Sequence, residues 1–184
     1  MTKRHSTSLV ALMIGTLLTL GCASIPAVAA GDTSAVFTLP SGVQVEIVES
    51  AFKKTLFSIA GCAGQGGPCK INGAVPFGSD FTVPTTYVKK ITVLYKGRSH
   101  SLDASNMYNA WGARPLETKG VVRYFGGRCF DESNCQLRGL FSDAAGAFVA
   151  EWVIVDGESY RTVLSDSNDV VRLFMRNIDP PEIE

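Results

Sequence analysis

The stretch "QLRGLFSDAAGAFVAEWVIVDGESYRTVL", residues 136–164, constrains the fold more than any other part of the chain. Three runs rich in branched and aromatic residues are separated by residues 143–146 and by Asp156-Gly157. Runs of this composition bounded by turn residues read as strands. A two-residue Asp-Gly link calls for a turn with positive φ at both positions, whose twist suits paired antiparallel strands. It therefore sets register as well as direction, with Trp152 opposite Arg161 and Val153 opposite Tyr160. A slip of one residue would turn every apolar side chain to the wrong face.

Two more hairpins precede this meander. In "AVFTLPSGVQVEIV" the chain turns at Pro40-Ser41-Gly42, and Val43, Val45 and Ile47 then alternate with Gln44 and Glu46, the period of a half-buried strand. In "YVKKITVLYKGRSHSLD" the turn is Lys96-Gly97, which sets His100 opposite Val93 on the face shared by Ile91 and Leu102. One helix is expected, "SNDVVRLFMRNI", capped by Asp166 or Ser167, with Val170, Phe174 and Ile178 on one stripe and Pro180-Pro181 as its stop. The predicted fold is mainly β, an antiparallel sandwich or half-open barrel with one C-terminal α-helix packed on it. Residues 31–184 are read as a single β-rich domain, long enough to bury about two-thirds of the unfolded surface.

Residues 1–30 read as a signal peptide. Lys3 and Arg4 open it, residues 9–20 are mostly apolar, and small residues follow. Ala27-Val28-Ala29 or Val28-Ala29-Ala30 offers the small side chains that an ordinary signal peptidase needs. Thr19-Leu20-Gly21-Cys22 resembles the lipobox of bacterial lipoproteins, which implies a rival cut with Cys22 as the lipidated first residue. It departs from that pattern by placing Thr19 where an aliphatic residue is favoured. A third reading leaves the segment uncut as an anchor, since residues 9–30 are long enough to span a bilayer. The expected location is the periplasm or the exterior, or a membrane-tethered lipoprotein if Cys22 is acylated.

The cysteines agree with export. Cys62 and Cys69 flank "AGQGGP", and Cys129 and Cys135 flank "FDESN". Four cysteines allow three pairings, of which the local one is the simplest. Each short ring would stabilise the fold by roughly 2.5 kcal/mol on the chain-entropy account. A four-cysteine zinc site needs tighter spacing than these pairs provide, so no metal is assigned. With Cys22 removed or acylated, the exported protein keeps no free thiol.

Charge and residue supply narrow the function classes. The whole chain carries 17 basic and 17 acidic residues, and losing Lys3 and Arg4 leaves a net charge of about −2. No basic excess remains for phosphate neutralisation, so nucleic acid is not an expected partner. His5 leaves with the leader, and His100 becomes the sole histidine. Ser99, Ser101 and Asp103 lie near it, but adjacent strand positions face opposite ways and no nucleophile elbow is present. His100 is read as a packed, hydrogen-bonded residue. "SDSNDV" is acidic but puts valines at calcium-ligand positions, so it is read as a helix cap. A pair of carboxylates could serve a glycosidase, which sequence alone cannot test. No catalytic residue and no cofactor are assigned.

Two stretches are candidates for binding. "NMYNAWGARP" places Tyr108 and Trp111 beside Asn106 and Asn109 in an expected loop, where rings can anchor a protein interface or stack on sugars. The competing reading is that the rings close one end of the core. "GCAGQGGPCKING" carries Gln65 at the tip of a loop pinned by Cys62 and Cys69, a preorganised finger or a plain stapled connection. The sequence thus points to an exported, non-catalytic binding protein of the bacterial envelope, such as an inhibitor or immunity protein. Its expected partner is another envelope protein, with membrane contact only through a lipid or an uncleaved signal anchor. The alternatives are a structural or assembly accessory of the envelope and, behind it, a glycan or peptide hydrolase. The leader yields a direct expectation: intact mass of the exported protein should show a start at Ala30 or Gly31 without acyl chains. An acylated Cys22 would overturn it.

Overall fold

A computed structural model describes residues 31–62, 69–113, 121–142 and 146–181. The leader, Cys22 and both candidate cuts lie outside the described residues, as do Gln65 and residues 143–145 of the meander's first turn. In chain order the strands are β1 (Asp32–Thr38), β2 (Gln44–Ala51), β3 (Ile59–Ala60), β4 (Lys70–Ile71), β5 (Thr86–Tyr95) and β6 (Arg98–Leu102). They continue with β7 (Ala110–Ala113), β8 (Phe125–Cys129), β9 (Cys135–Phe141), β10 (Phe148–Val155) and β11 (Glu158–Ser165). Helix α1 (Asn168–Arg176) follows.

Two four-stranded antiparallel sheets carry the fold, one ordered β1-β2-β5-β6 and the other β11-β10-β9-β8. Their turns follow from local chemistry. Lys96 and Gly97 have φ of 46° and 85°, Asp156 and Gly157 have 52° and 88°, and in each a glycine takes the second left-handed position without steric cost. The expected register holds: Trp152 pairs with Arg161, Val153 with Tyr160 and Val93 with His100. A bulge between Glu151 and Trp152, which the alternating pattern does not mark, shifts the rest of that ladder.

The inner faces interleave Val45, Ile47, Ile91 and Val93 of one sheet with Leu137, Phe141, Phe148 and Trp152 of the other, all fully buried. Side chains also stitch the layers. Trp152 Nε1 donates to the Asp103 carbonyl at 2.9 Å, and the Arg161 guanidinium reaches the Ser105 carbonyl at 2.6 Å. The two disulfides join Cys62 to Cys69 and Cys129 to Cys135, the local pairing.

Two local expectations are corrected. The stripe that α1 buries is Val171 and Phe174, with Val170 partly covered, rather than Val170, Phe174 and Ile178. The helix stops at Arg176, so Ile178 lies beyond it. Ser167 occupies the N-cap position without a capping side-chain bond. The stretch around Trp111 is not a loop, because Ala110–Ala113 forms β7 and Tyr108 bridges to Tyr87.

One buried group sits uneasily in this core. Glu49, beside a bulge in the β2–β5 ladder, is 2% exposed. Thr86 Oγ1 donates to its Oε1 at 2.6 Å, and Oε2 has no partner among the described residues. Burial holds its carboxyl above the ordinary glutamate range, against the opposing pull of hydrogen bonds from Thr86 and the Ala110 amide. The folded chain therefore binds this proton more tightly than the unfolded chain. The resulting stabilisation is full below the unfolded-state value and is lost as pH rises through the raised folded value. Glu49→Gln cannot ionise, so urea midpoints from about pH 4 to 8 should fall for the wild type relative to the variant. Parallel curves would show that Glu49 does not carry the effect.

Candidate functional site

Of the residues singled out for binding, Tyr108 lies beside the Cys62–Cys69 disulfide in a second small core, and Asn106 and Asn109 flank it in sequence. Tyr108 is 4% exposed and packs with Cys62, Cys69 and Ile71, with Phe52 and Phe57 around it. Its ring stands edge-on to Phe52 at 5.9 Å, and burial raises its hydroxyl above the usual tyrosine range. The competing expectation, a ring that closes the end of the core, describes it. Trp111 is half-buried and meets Phe141 edge-on at 5.8 Å.

Asn109 is a clasp. Its Oδ1 accepts from the backbone amides of Thr85 and Thr86 at 2.9 and 3.2 Å, and its Nδ2 donates to the Gly78 carbonyl at 3.1 Å. The residue adopts a φ of 42°, a left-handed conformation that asparagine tolerates. Asn106 also has positive φ, 63°, and its carbonyl accepts from the Phe77 amide at 2.9 Å. Its side-chain amide has no partner among the described residues.

Gly78 is where the backbones come closest. A Cβ there would lie 2.0 Å from the Tyr108 carbonyl oxygen and 2.8 Å from the Phe148 ring. Only glycine fits. The segment is thereby seated for the turn that follows, in which the Thr82 amide donates to the Ser79 carbonyl at 2.9 Å. Its central residues, Asp80 and Phe81, have φ of 44° and 57°, the positive pair that Lys96-Gly97 and Asp156-Gly157 also show. Here the second position is phenylalanine, and it is 68% exposed. Cys69 Sγ lies 3.7 Å from the Thr82 carbonyl, so the disulfide flanks the turn. Sequence reasoning missed Phe81, because no glycine or Asn-Gly pair marks "SDFT" as a turn.

His100 is 5% exposed, with Nε2 at 2.8 Å from the Glu132 carbonyl and Nδ1 at 3.3 Å from the Gly157 carbonyl. Both ring nitrogens thus face backbone of the opposite sheet's turns. This is the geometry of a structural tie, and a general base would have to break one of these contacts first.

No protein-family model matches the chain, and no curated protein or solved structure is detectably similar to it. Two disulfides are the chemistry of an oxidising, non-cytoplasmic compartment. Among the described residues no helix is long and apolar enough to cross a membrane.

The clasp has a measurable weight. Asn109→Gly keeps the left-handed backbone and removes the amide, leaving the Thr85 and Thr86 amides without their acceptor. These contacts are exposed or part-buried, so water replaces part of what is lost, and denaturant unfolding should show a drop of about 1 kcal/mol. A change below about 0.5 kcal/mol would mean that the amide is not what seats Gly78.

Proposed function

We propose that the chain is an exported, non-catalytic binding protein of the bacterial cell envelope that plugs a site on another envelope protein, as an inhibitor or immunity protein does. The observation that carries this reading is Phe81. A bulky residue in the left-handed region costs about 1–3 kcal/mol, and such strain concentrates where a chain meets a ligand or partner. Asparagine or glycine would make the same turn at lower cost, as Gly97 and Gly157 do in this molecule. Packing does not account for the ring, since most of it faces solvent.

The surroundings favour insertion into a partner. The turn is held by its own hydrogen bond, by the packed Gly78 and by the adjacent disulfide. A projecting ring on a backbone that is already held loses little backbone entropy on association and can fill an apolar pocket. Export is supported by the leader and by the disulfides.

Phe81→Asn separates this reading from a packing role. The variant should be as stable as the wild type or gain about 1 kcal/mol as strain is relieved. It should lose partner binding by about 2 kcal/mol or more, the scale of an interface anchor. With both proteins as paired baits on an envelope extract, one stoichiometric partner should be retained by the wild type and lost by the variant. A variant that melts far lower and still holds the partner would overturn the proposal. A set of assembly proteins retained equally by both would favour the accessory reading.

A further inference from the structure

A second feature at the same end of the sandwich does not involve Phe81. A cleft of about 180 Å³ opens between Phe57 and Tyr87 on one side and the segment from Ala104 to Tyr108 on the other, with Asn72 at its rim. We infer that this cleft binds a single pyranose ring of a neutral saccharide.

Its walls are fixed before any ligand arrives. Phe57 stacks on Phe52 at 4.3 Å and meets Tyr87 edge-on at 5.4 Å. Tyr87 and Tyr108 are bridged through their backbones. Asn72 exchanges two bonds with the Ser58 backbone, accepting through Oδ1 at 2.9 Å and donating its own amide at 2.8 Å. The Ser105 amide donates to Asp103 Oδ1 at 2.9 Å, and Arg161 holds the Ser105 carbonyl from behind. A preorganised site loses little on binding.

What the walls offer selects the ligand. Every lining residue is uncharged, and the nearby Arg161 guanidinium is paired with Asp103 at 3.0 Å. A phosphate, carboxylate or ammonium group would give up its hydration there without a counter-charge. A purely apolar ligand would leave polar groups unmet. The Asn106 amide, the Asn72 Nδ2 and the Tyr108 hydroxyl have no hydrogen-bond partner among the described residues. None of the three is an enclosed atom, so each is open to a ligand entering from solvent. A neutral sugar ring answers both demands, with apolar C–H faces for the aromatic wall and hydroxyls at its edge for the amides. The volume lies below the roughly 300–1,000 Å³ of sites for larger ligands, which limits the occupant to one ring.

Chitobiose, maltose and cellobiose are suitable probes in an NMR titration, with inorganic phosphate as the charged control and phenol as the apolar one. At least one disaccharide should saturate with a millimolar Kd, about −4 kcal/mol, and shift resonances of Tyr87, Asn106 and Tyr108. Phosphate and phenol should not. Tyr108→Phe removes only the hydroxyl, and Asn106→Gly removes the amide while keeping the left-handed backbone. Each should weaken the sugar about fivefold or more, as expected for one lost hydrogen bond, with unchanged melting. Phe81→Asn should bind sugar as the wild type does, so failure here and failure of the partner reading are distinguishable. The inference is overturned if no disaccharide moves these residues at tens of millimolar. It is equally overturned if both variants bind unaltered, or if phenol alone occupies the cleft, which would assign it to an aromatic side chain of a partner protein.

Discussion

The packing of Phe141 is the contact on which the rest of the molecule depends. Its fully buried ring stacks on Phe148 at 5.0 Å and meets Phe125, Trp111 and Trp152 edge-on at 5.4, 5.8 and 6.3 Å. Offset and edge-on pairs of this kind add to the large area such rings bury. The cluster joins β7, β8, β9 and β10, so it sets how the second sheet meets the strand that carries Trp111. From there the order passes outward. Phe148 touches Phe77 and limits the space at Gly78, and Gly78 seats both the Asn109 clasp and the turn bearing Phe81. The exposed end of the protein is as rigid as it is because its foundations lie in the centre of the sandwich.

Four turns among the described residues show positive φ at two successive central residues. Asn72-Gly73, Lys96-Gly97 and Asp156-Gly157 follow the rule that the second position goes to glycine. Asp80-Phe81 departs from it, and does so where the side chain gains little from the core. Sequences tend to agree with their fold at every level except where function opposes stability. The proposed anchor at Phe81 would be that kind of exception. Glu49 is a second conflict of levels, but it is enclosed by β2, β5 and the Ala110 amide, and its consequence is a pH-dependent stability.

The legible parts of the fold were those set by short-range chemistry. Glycine turns and alternating side chains gave the hairpins and the meander register, and loop length gave the disulfide pairing. What could not be read depended on distant partners. Asn106, Asn109 and Gly112 look like loop residues, yet Asn109 bonds to Thr85, Thr86 and Gly78, and β7 begins at Ala110. Asparagine at positive φ with its side chain used as a clasp has the same local appearance as asparagine in an open turn. Tyr108 turned inward because Phe52, Phe57 and the Cys62–Cys69 pair complete a second small core that no periodicity announces. Of the expected binding residues, Asn106 and Tyr108 come together at the cleft, whereas Trp111 packs on the main core and Gln65 lies outside the described residues.

The cleft and the Phe81 turn share a scaffold, and this bears on whether one could control the other. Residues 106–109 serve both: Asn106 and Tyr108 line the cleft, while the Tyr108 amide bonds to the Phe77 carbonyl and Asn109 holds Gly78. Coupling between sites needs an element with two arrangements, each favoured by a different ligand. This seam has a single well-satisfied arrangement. The Phe77, Tyr108, Thr85 and Thr86 amides all have acceptors, and a side chain at Gly78 would collide with its neighbours. Moving it would unpair these groups together, against a ligand whose whole binding free energy at a millimolar Kd is about −4 kcal/mol. The physical expectation is therefore two independent surfaces on one rigid support, the proposed saccharide cleft and the proposed aromatic anchor.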